Sequence, residues 1–432
     1  MIIHYYQQFF TGPNAPGTLT PRKLMQHLAG QGHTVHVVAT DFNVYNEQTE
    51  PPEDYALPSG GRLVVHRVPS ARGLRRGLRA RLHTYVGFAW AAYRLGRQLP
   101  RPDVVLGSIQ PLFTGLVAQR VAHRCHASFL LEIRDLWPDA LEAKGAISHW
   151  QAWPLHLVAN YLYRAAESII SLTPGIKSVL LKKGVPQPKV DVIPNGYDPA
   201  MYDLLAGTRE QVRAELGWER QFVAVFTGTH VEVTAVETIV KAAECLKHRT
   251  DIRFDLFGKG QRKPAAVALA RSLGIANIHF HAPVPKNRIP GILAAADVGL
   301  MTLFKSPLID IYFENKLVDY MGAGKAILAA MDGMQGRLIA THKAGRVVGS
   351  FDYQGLAKLV EDAANDPEQV RQMGANGKWL ATEHLRLPDI LGRYTRLLEA
   401  AAAVRPCQTA TDVQGHTLEL AYPWYAGEKA QD

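Results

Sequence analysis

Apolar residues in this chain recur in two alternating rhythms, and their order predicts the architecture. Nearly continuous apolar runs, the pattern of strands buried on both faces, stand at residues 2–6, 32–40, 63–68, 104–106, 129–133, 169–172 and 190–193. Helical spacing fills most of the intervals, first over residues 22–29 after a long glycine- and proline-bearing loop. Strand and helix in alternation predict a parallel sheet covered on both faces. The rhythm breaks at PNGYDPAMY, residues 194–202, where Pro-Asn-Gly is strong turn chemistry and a second proline follows. It then restarts, with strands at 222–228, 253–260, 277–283, 298–301 and 326–330 and helices near 235–247, 264–273 and 290–296. A second doubly wound unit is therefore expected. Two helical stretches follow Asp366, the second over 387–404, and a polar tail begins at Arg405.

The most informative stretch is YFENKLVDYMGAGKAIL, residues 312–328. Its spacing predicts a helix over 313–321 with Phe313, Leu317 and Met321 on one face and Asn315 and Asp319 on another. The unpaired N–H groups of Asn315, Lys316 and Leu317 at its start, with the Lys316 charge, suit an anion. Asp319, one turn on, is placed to accept hydrogen bonds from sugar hydroxyls. Strands ending in glycine at Gly228 and at Gly258 and Gly260 put further loops where ligands of open α/β sheets bind. In the first half, Gly12 and Gly17 let the loop after the first strand approach a ligand closely. That loop is too long for the dinucleotide fingerprint Gly-x-Gly-x-x-Gly, so no nicotinamide or flavin site is expected.

Charge adds a partner. The chain of 432 residues carries a formal net charge of +9, very unevenly: residues 1–200 hold 21 Lys+Arg against 13 Asp+Glu (+8), and the remainder 27 against 26 (+1). The excess gathers at residues 71–99, where Arg72, Arg75, Arg76, Arg79 and Arg81 precede Val86, Phe88, Trp90 and Tyr93. Cations joined to rings match an anionic membrane surface better than nucleic acid, for which no motif is present. Cys125, Cys245 and Cys407 are odd in number and lack zinc spacing. With no signal-peptide pattern and no apolar run long enough to span a bilayer, a cytoplasmic, peripheral chain is expected.

The order of these pieces resembles the retaining nucleotide-sugar glycosyltransferases of the GT-B fold, the family-four group, especially bacterial members that build surface polysaccharides. The segments that carry the resemblance are GHTVHVV, IRDLWPDALEAKGAI, VIPNGYD, the Gly228 turn, LFGKG, NIHFHAPVPKNRIPGILAAADVGL and FENKLVDYMGAGKAILAA, in that order between Met1 and about Ala400. The resemblance implies an α/β fold of two Rossmann-like doubly wound domains facing a central cleft. It places acceptor on residues 1–196 and nucleotide sugar on residues 197–386, with the helix over 387–404 crossing back onto the first domain and a tail over 405–432. It implies no cofactor and no metal; the sequence has no Asp-x-Asp.

Carried over residue by residue, the family's roles make Asp319 the ribose-binding acid and leave Ile311 at the other acidic position, one residue from Asp310. The cations that commonly follow the Gly228 turn are absent, so Lys316, Lys259 or, less strongly, His230 is the candidate to stabilise the diphosphate. Gly228, Gly258, Asn315 and Leu317 complete the donor set. Arg134, Asp135 and Asp139 are candidates for acceptor hydroxyls or a lipid diphosphate, and Trp137 for stacking on a sugar. A retaining reaction needs no dedicated base; for an inverting one Asp135 is the candidate. The expected function is transfer of a sugar, from UDP above all, to a polyprenyl-diphosphate-linked saccharide at the inner face of the membrane. Two alternatives stay open: a non-hydrolysing UDP-sugar epimerase of similar architecture, and a non-catalytic sugar-nucleotide-binding chain.

Overall fold

The computed structural model describes residues 1–13, 20–44, 47–74, 77–109, 111–143, 145–203 and 209–403. The described residues divide into two compact units, Met1–Pro194 with Asp389–Ala403, and Asn195–Pro388.

The first unit strings β1 (Ile2–Tyr6), α1 (Thr20–Gly30), β2 (Thr34–Thr40), β3 (Glu53–Ala56), β4 (Arg62–Val68), α2 (Leu78–Gly96), β5 (Val104–Ser108) and α3 (Leu112–Cys125). It continues through β6 (Ser128–Ile133), α4 (Asp139–Ala143), α5 (His149–Ala165), β7 (Ser168–Ser171), α6 (Pro174–Lys182) and β8 (Val190–Val192). The sheet order is β3-β4-β2-β1-β5-β6-β7-β8, parallel except for the β3–β4 pair. Strand β3 escapes an apolar reading because EDYA is polar and sits at the edge, where Glu53 binds Arg22 at 2.7 Å. α2 packs on α3, and α3 on α5, above β1, β5 and β6.

The second unit begins with α7 (Pro199–Asp203), α8 (Arg209–Leu216), β9 (Phe222–Thr227), α9 (Glu237–Cys245), β10 (Ile252–Phe257), α10 (Lys263–Ser272), β11 (Ile278–His281) and α11 (Ile289–Ala295). Then come β12 (Val298–Thr302), α12 (Asn315–Gly322), β13 (Ala326–Ala330), α13 (Met334–Thr341), β14 (Gly345–Val348), α14 (Tyr353–Asn365) and α15 (Pro367–His384). Its sheet is wholly parallel in the order β11-β10-β9-β12-β13-β14. Alternate residues of β9 enter opposite cores: Val223 and Val225 join Leu317 and Tyr320, while Ala224 and Phe226 join Phe254 and Leu328. Period-two burial into two cores is what a sheet covered on both faces requires.

The last helix, α16 (Leu387–Ala403), carries its residues from Asp389 on into the first unit. There Ser128 donates to the Ala401 carbonyl at 2.8 Å, Arg393 to the Val192 carbonyl at 2.7 Å, and Tyr394 to Glu132 at 2.9 Å.

Candidate functional site

In the second unit, β9 lies between β10 and β12, so the chain runs outward from β9 in one direction and later returns to its other side. Such a reversal opens a crevice beyond the carboxyl ends of the two strands. Gly228, which follows β9, and Gly258, which follows β10, have φ of 147° and 146°. A Cβ on Gly258 would fall 1.8 Å from the Gly228 carbonyl oxygen, and one on Gly228 would meet Lys316 Cε at 3.2 Å. Both the dihedrals and the crowding therefore demand glycine. Lys263 braces the second turn from the start of α10, donating to the carbonyls of Gly258 at 2.8 Å and His281 at 2.5 Å. Sequence reasoning passed over this lysine; its signal was its place five residues after the glycine.

Lys316 is the second residue of α12 and is buried. Its Nζ lies 2.6 Å from Glu314 Oε2 and 4.2 Å from the centroid of the Phe226 ring. Tyr320, one turn later on the same face, accepts from the Thr227 N–H at 2.9 Å, so the end of β9 fixes the start of α12. The site thus presents a lysine, a helix N-terminus and glycine-lined backbone to one place, which is the chemistry of anion binding.

The helix begins at Asn315, two residues later than the apolar spacing predicts, because Glu314 is extended with ψ 134°. Phe313 is buried from the preceding segment, and Asn315 is exposed. The Leu317 N–H already donates to the Glu314 carbonyl at 3.1 Å, which removes that amide from the anion-binding set. His230 is buried, and neither ring nitrogen has a hydrogen-bond partner among the described residues. Burial, with Lys263 and Lys316 nearby, pushes its pKa down to about 4. It is neutral at neutral pH and does not serve as the expected cation. Lys259 is exposed, and its carbonyl accepts from the His230 N–H at 2.9 Å.

Asp319 does not pair with Lys316. Its carboxylate accepts from the Tyr202 hydroxyl at 2.8 Å and from Lys286 Nζ at 2.6 Å, and it is partly exposed. Burial and this carboxylate drive the Tyr202 hydroxyl pKa well up. Ile311 is buried, and half-buried Asp310 turns to Arg337 at 3.0 Å. Glu314, not Asp310, is the acidic group the structure sets beside Lys316. Sequence spacing missed it because it looked for acid at Ile311.

In the first unit, β1 lies between β2 and β5, a second reversal. Gly12 follows β1, but a Cβ there would meet Glu50 Oε2 at 3.2 Å. It makes room for an internal cluster in which Glu50 lies 2.5 Å from Arg67 and Arg22 binds Glu53, a correction to its expected place against a ligand. Gly17 lies outside the described residues. Arg134 is likewise turned inward: it lies 3.3 Å from buried Glu132, which also accepts from Tyr5 and Tyr394 at 2.9 Å each. Asp139 pairs with Lys183 at 2.8 Å. Asp135 and Trp137 are half-buried after β6, and Trp137 meets Tyr85 of α2 edge-on at 6.2 Å. His156, for which the sequence shows no partner, lies 2.6 Å from Glu142, and His126 is the left-handed cap of α3.

Of the basic segment, Arg75 and Arg76 lie outside the described residues. Arg72 donates to Thr49 at 2.6 Å and Arg81 to the Leu74 carbonyl at 2.8 Å. Arg79 and Trp90 face solvent, whereas Phe88 belongs to the core.

Two family models match the chain: "Glycosyl transferase 4-like domain" over residues 18–196 and "Glycosyl transferases group 1" over residues 208–379. Among solved structures, sucrose-phosphate synthase from Thermosynechococcus elongatus superposes with a TM-score of 0.74 at 17% identity, covering 93% of this chain and 99% of that one. Anabaena Alr3699/HepE in complex with UDP-glucose gives 0.68 at 16% identity, covering 93% and 100%. These likenesses define a two-domain GT-B fold. The chain belongs to the GT-B glycosyltransferases of family-four type. A D-inositol 3-phosphate glycosyltransferase of Gordonia bronchialis is 25% identical over 279 residues, 60% of this chain and 59% of the relative. The chain thus spans less than two thirds of the length of the curated relatives it matches.

Proposed function

We propose that this protein transfers a hexosyl or N-acetylhexosaminyl group from a nucleotide diphosphate, UDP first among them, to a polyprenyl-diphosphate-linked saccharide in the assembly of a bacterial surface polysaccharide. The observation that carries this reading is the seat of Lys316 and Glu314 against the Gly228 turn, at the reversal between β9 and β12. A pyrophosphate there meets the Lys316 ammonium, the Asn315 and Lys316 amides and glycine backbone, which together offset the negative charge that grows on the leaving diphosphate. Asp319, on the flank of the same helix, accepts from the ribose hydroxyls. The UDP-glucose bound by the HepE neighbour supports the choice of donor.

In the step proposed, the bond from the anomeric carbon to the β-phosphate oxygen breaks and the nucleoside diphosphate leaves with the electron pair. The acceptor hydroxyl oxygen bonds the same face of the anomeric carbon, and its proton passes to the departing phosphate. Configuration is retained, no metal is required, and Asp135 and Trp137 meet the acceptor. The basic first half supports a lipid-linked acceptor and a place on the cytoplasmic face of the membrane. Among the described residues, no helix is long and apolar enough to cross a membrane. The test is release of UDP from UDP-sugars with and without a lipid-diphosphate saccharide. Release that requires acceptor is the expected result, and sugar interconversion without acceptor overturns the reading.

A further inference from the structure

Ten large apolar side chains are exposed among the described residues, and seven of them lie on two helices of the first unit. On α2 they are Leu82, Val86 and Trp90, at i, i+4 and i+8. On α5 they are Trp150, Trp153, Leu157 and Tyr161, again one face of a helix. Trp150 is the most open of all at 86% exposure, and it is the grouping of these side chains on one face, rather than any single one, that marks an interaction surface. α3, which packs between α2 and α5, leaves a groove of about 330 Å³ against α2, lined by Tyr93, Leu116, Val117 and Arg120.

The charged side chains that belong to the three helices have one sign, and the acid against α5, Glu142 of α4, is taken up by His149 at 3.0 Å and His156 at 2.6 Å. α2, α3 and α5 hold six arginines, Arg79, Arg81, Arg94, Arg120, Arg124 and Arg164, and no aspartate, glutamate or lysine. The Arg94 guanidinium lies 4.6 Å from the centroid of the Trp90 ring, so the two side chains present a cation and an aromatic plane together. Rings and leucines that sink to the headgroup level, ringed by arginines that meet lipid phosphates, are what binding to an anionic bilayer requires. A protein partner would be served as well by mixed charge; a lipid surface favours one sign throughout.

We infer that α2 and α5 together form a bilayer-docking face, with Trp150, Trp153 and Leu157 of α5 entering an anionic membrane beside Trp90 of α2. The inference deepens the membrane part of the proposed function and rests on that part alone, since the basic segment by itself identifies α2 and says nothing of α5. It also places the acceptor segment next to the lipid: Trp137 meets Tyr85 of α2, and its carbonyl accepts from Tyr163 of α5 at 3.5 Å.

The test is sedimentation of the full chain with vesicles of phosphatidylcholine containing about one third phosphatidylglycerol, with tryptophan emission followed in parallel. Binding with a blue shift is expected, weakened by salt. The triple variant Trp150→Ser, Trp153→Ser, Leu157→Ser is expected to need about tenfold or more lipid for half-binding, because affinity scales with apolar area inserted. Its far-UV circular dichroism and its cooperative thermal unfolding should match those of the wild type, which shows that the first unit, where α5 lies, still folds. Failure of the wild type to bind, or a variant that binds equally well, overturns the inference. So does a dimer in solution that the triple variant dissolves, since a second copy then covers this face. Loss of transfer activity with vesicle binding intact would instead strike the proposed function.

Discussion

Lys316 Nζ and the Glu314 carboxylate stand 2.6 Å apart at the mouth of α12, with the ammonium over the Phe226 ring and against the glycine that ends β9. The pair is poised rather than inert. Glu314 is the counter-charge that the structure sets beside a buried lysine, and an arriving pyrophosphate competes for the same ammonium.

That competition has a measurable consequence. Glu314→Gln leaves Lys316 buried without its counter-charge, which costs about 3 kcal/mol in comparable buried pairs. Thermal melts should show the free variant destabilised, and saturating UDP should restore it by more than it stabilises the wild type. Equal UDP-induced shifts in the two proteins would detach Glu314 from the donor.

Gly258 tests the packing of the turns. A methyl there collides with the Gly228 carbonyl at 1.8 Å in a backbone with φ of 146°. Gly258→Ala should therefore lose about 2 kcal/mol or more of stability, read by chemical denaturation, and nucleotide binding with it. A variant as stable as wild type would show that the turn is not locked.

Asp319→Ala is expected to weaken UDP binding by about 1.5–3 kcal/mol, the range for charged hydrogen bonds to ribose. Because Lys286 and Tyr202 share that carboxylate, Lys286→Ala separates the roles. It should leave UDP affinity largely intact while Asp319→Ala does not. Calorimetry that finds both variants equally impaired would make the carboxylate a structural group only.

Acid stability should report on a cluster outside the site. His4 is buried on β1 with its ring 5.5 Å from that of His36, and His36 Nδ1 lies 3.0 Å from His66 Nε2. Burial and then the neighbouring His36 push His4 down to about 3, and burial and then His36 push His66 to about 4. In the unfolded chain both titrate near 6.5. The unfolded state then binds more protons below that value, so stability is full above about pH 6.5 and falls as the pH drops, by up to about 1.4 kcal/mol per pH unit for His4. Denaturation of His4→Gln should show a flatter acid limb, and an unchanged one would contradict the assignment.

Chelation gives a simple check on the chemistry. Transfer activity should survive EDTA, because Lys316 and the helix terminus are proposed to carry the charge a metal would otherwise offset. Loss of activity that added divalent metal restores would contradict the metal-free step.

Much of the fold was legible because buried parallel strands print their apolar runs directly: β9, β10, β12 and β13 each stand out against polar helices. β3 did not, since an edge strand that offers Glu53 to Arg22 has no apolar signature. In the site, Gly228 and Lys316 were legible from turn and helix chemistry, and the structure brings them within contact distance. Glu314 and Lys263 were not, because their roles depend on the exact start of α12 and on carbonyls that only folding gathers. Arg134, Asp139 and Gly12 read as ligand contacts, yet Arg134 lies against nearby Glu132, and Asp139 and Gly12 lie against Lys183 and Glu50 far along the chain; a local motif does not reveal which way its side chains turn. The exposed tryptophans of α5 lay in a helix whose buried side was equally apolar, so the open face appears only once the packing is known.

The central claim is that the second unit grips a nucleoside diphosphate through Lys316 beside the Gly228 turn, and calorimetry with UDP and UMP tests it most directly. The wild type should bind UDP more tightly than UMP, and Lys316→Met should erase about 1.5–3 kcal/mol of that difference while leaving UMP affinity nearly unchanged. Equal affinity of the wild type for UDP and UMP, or a preference for UDP that persists in Lys316→Met, would contradict the account.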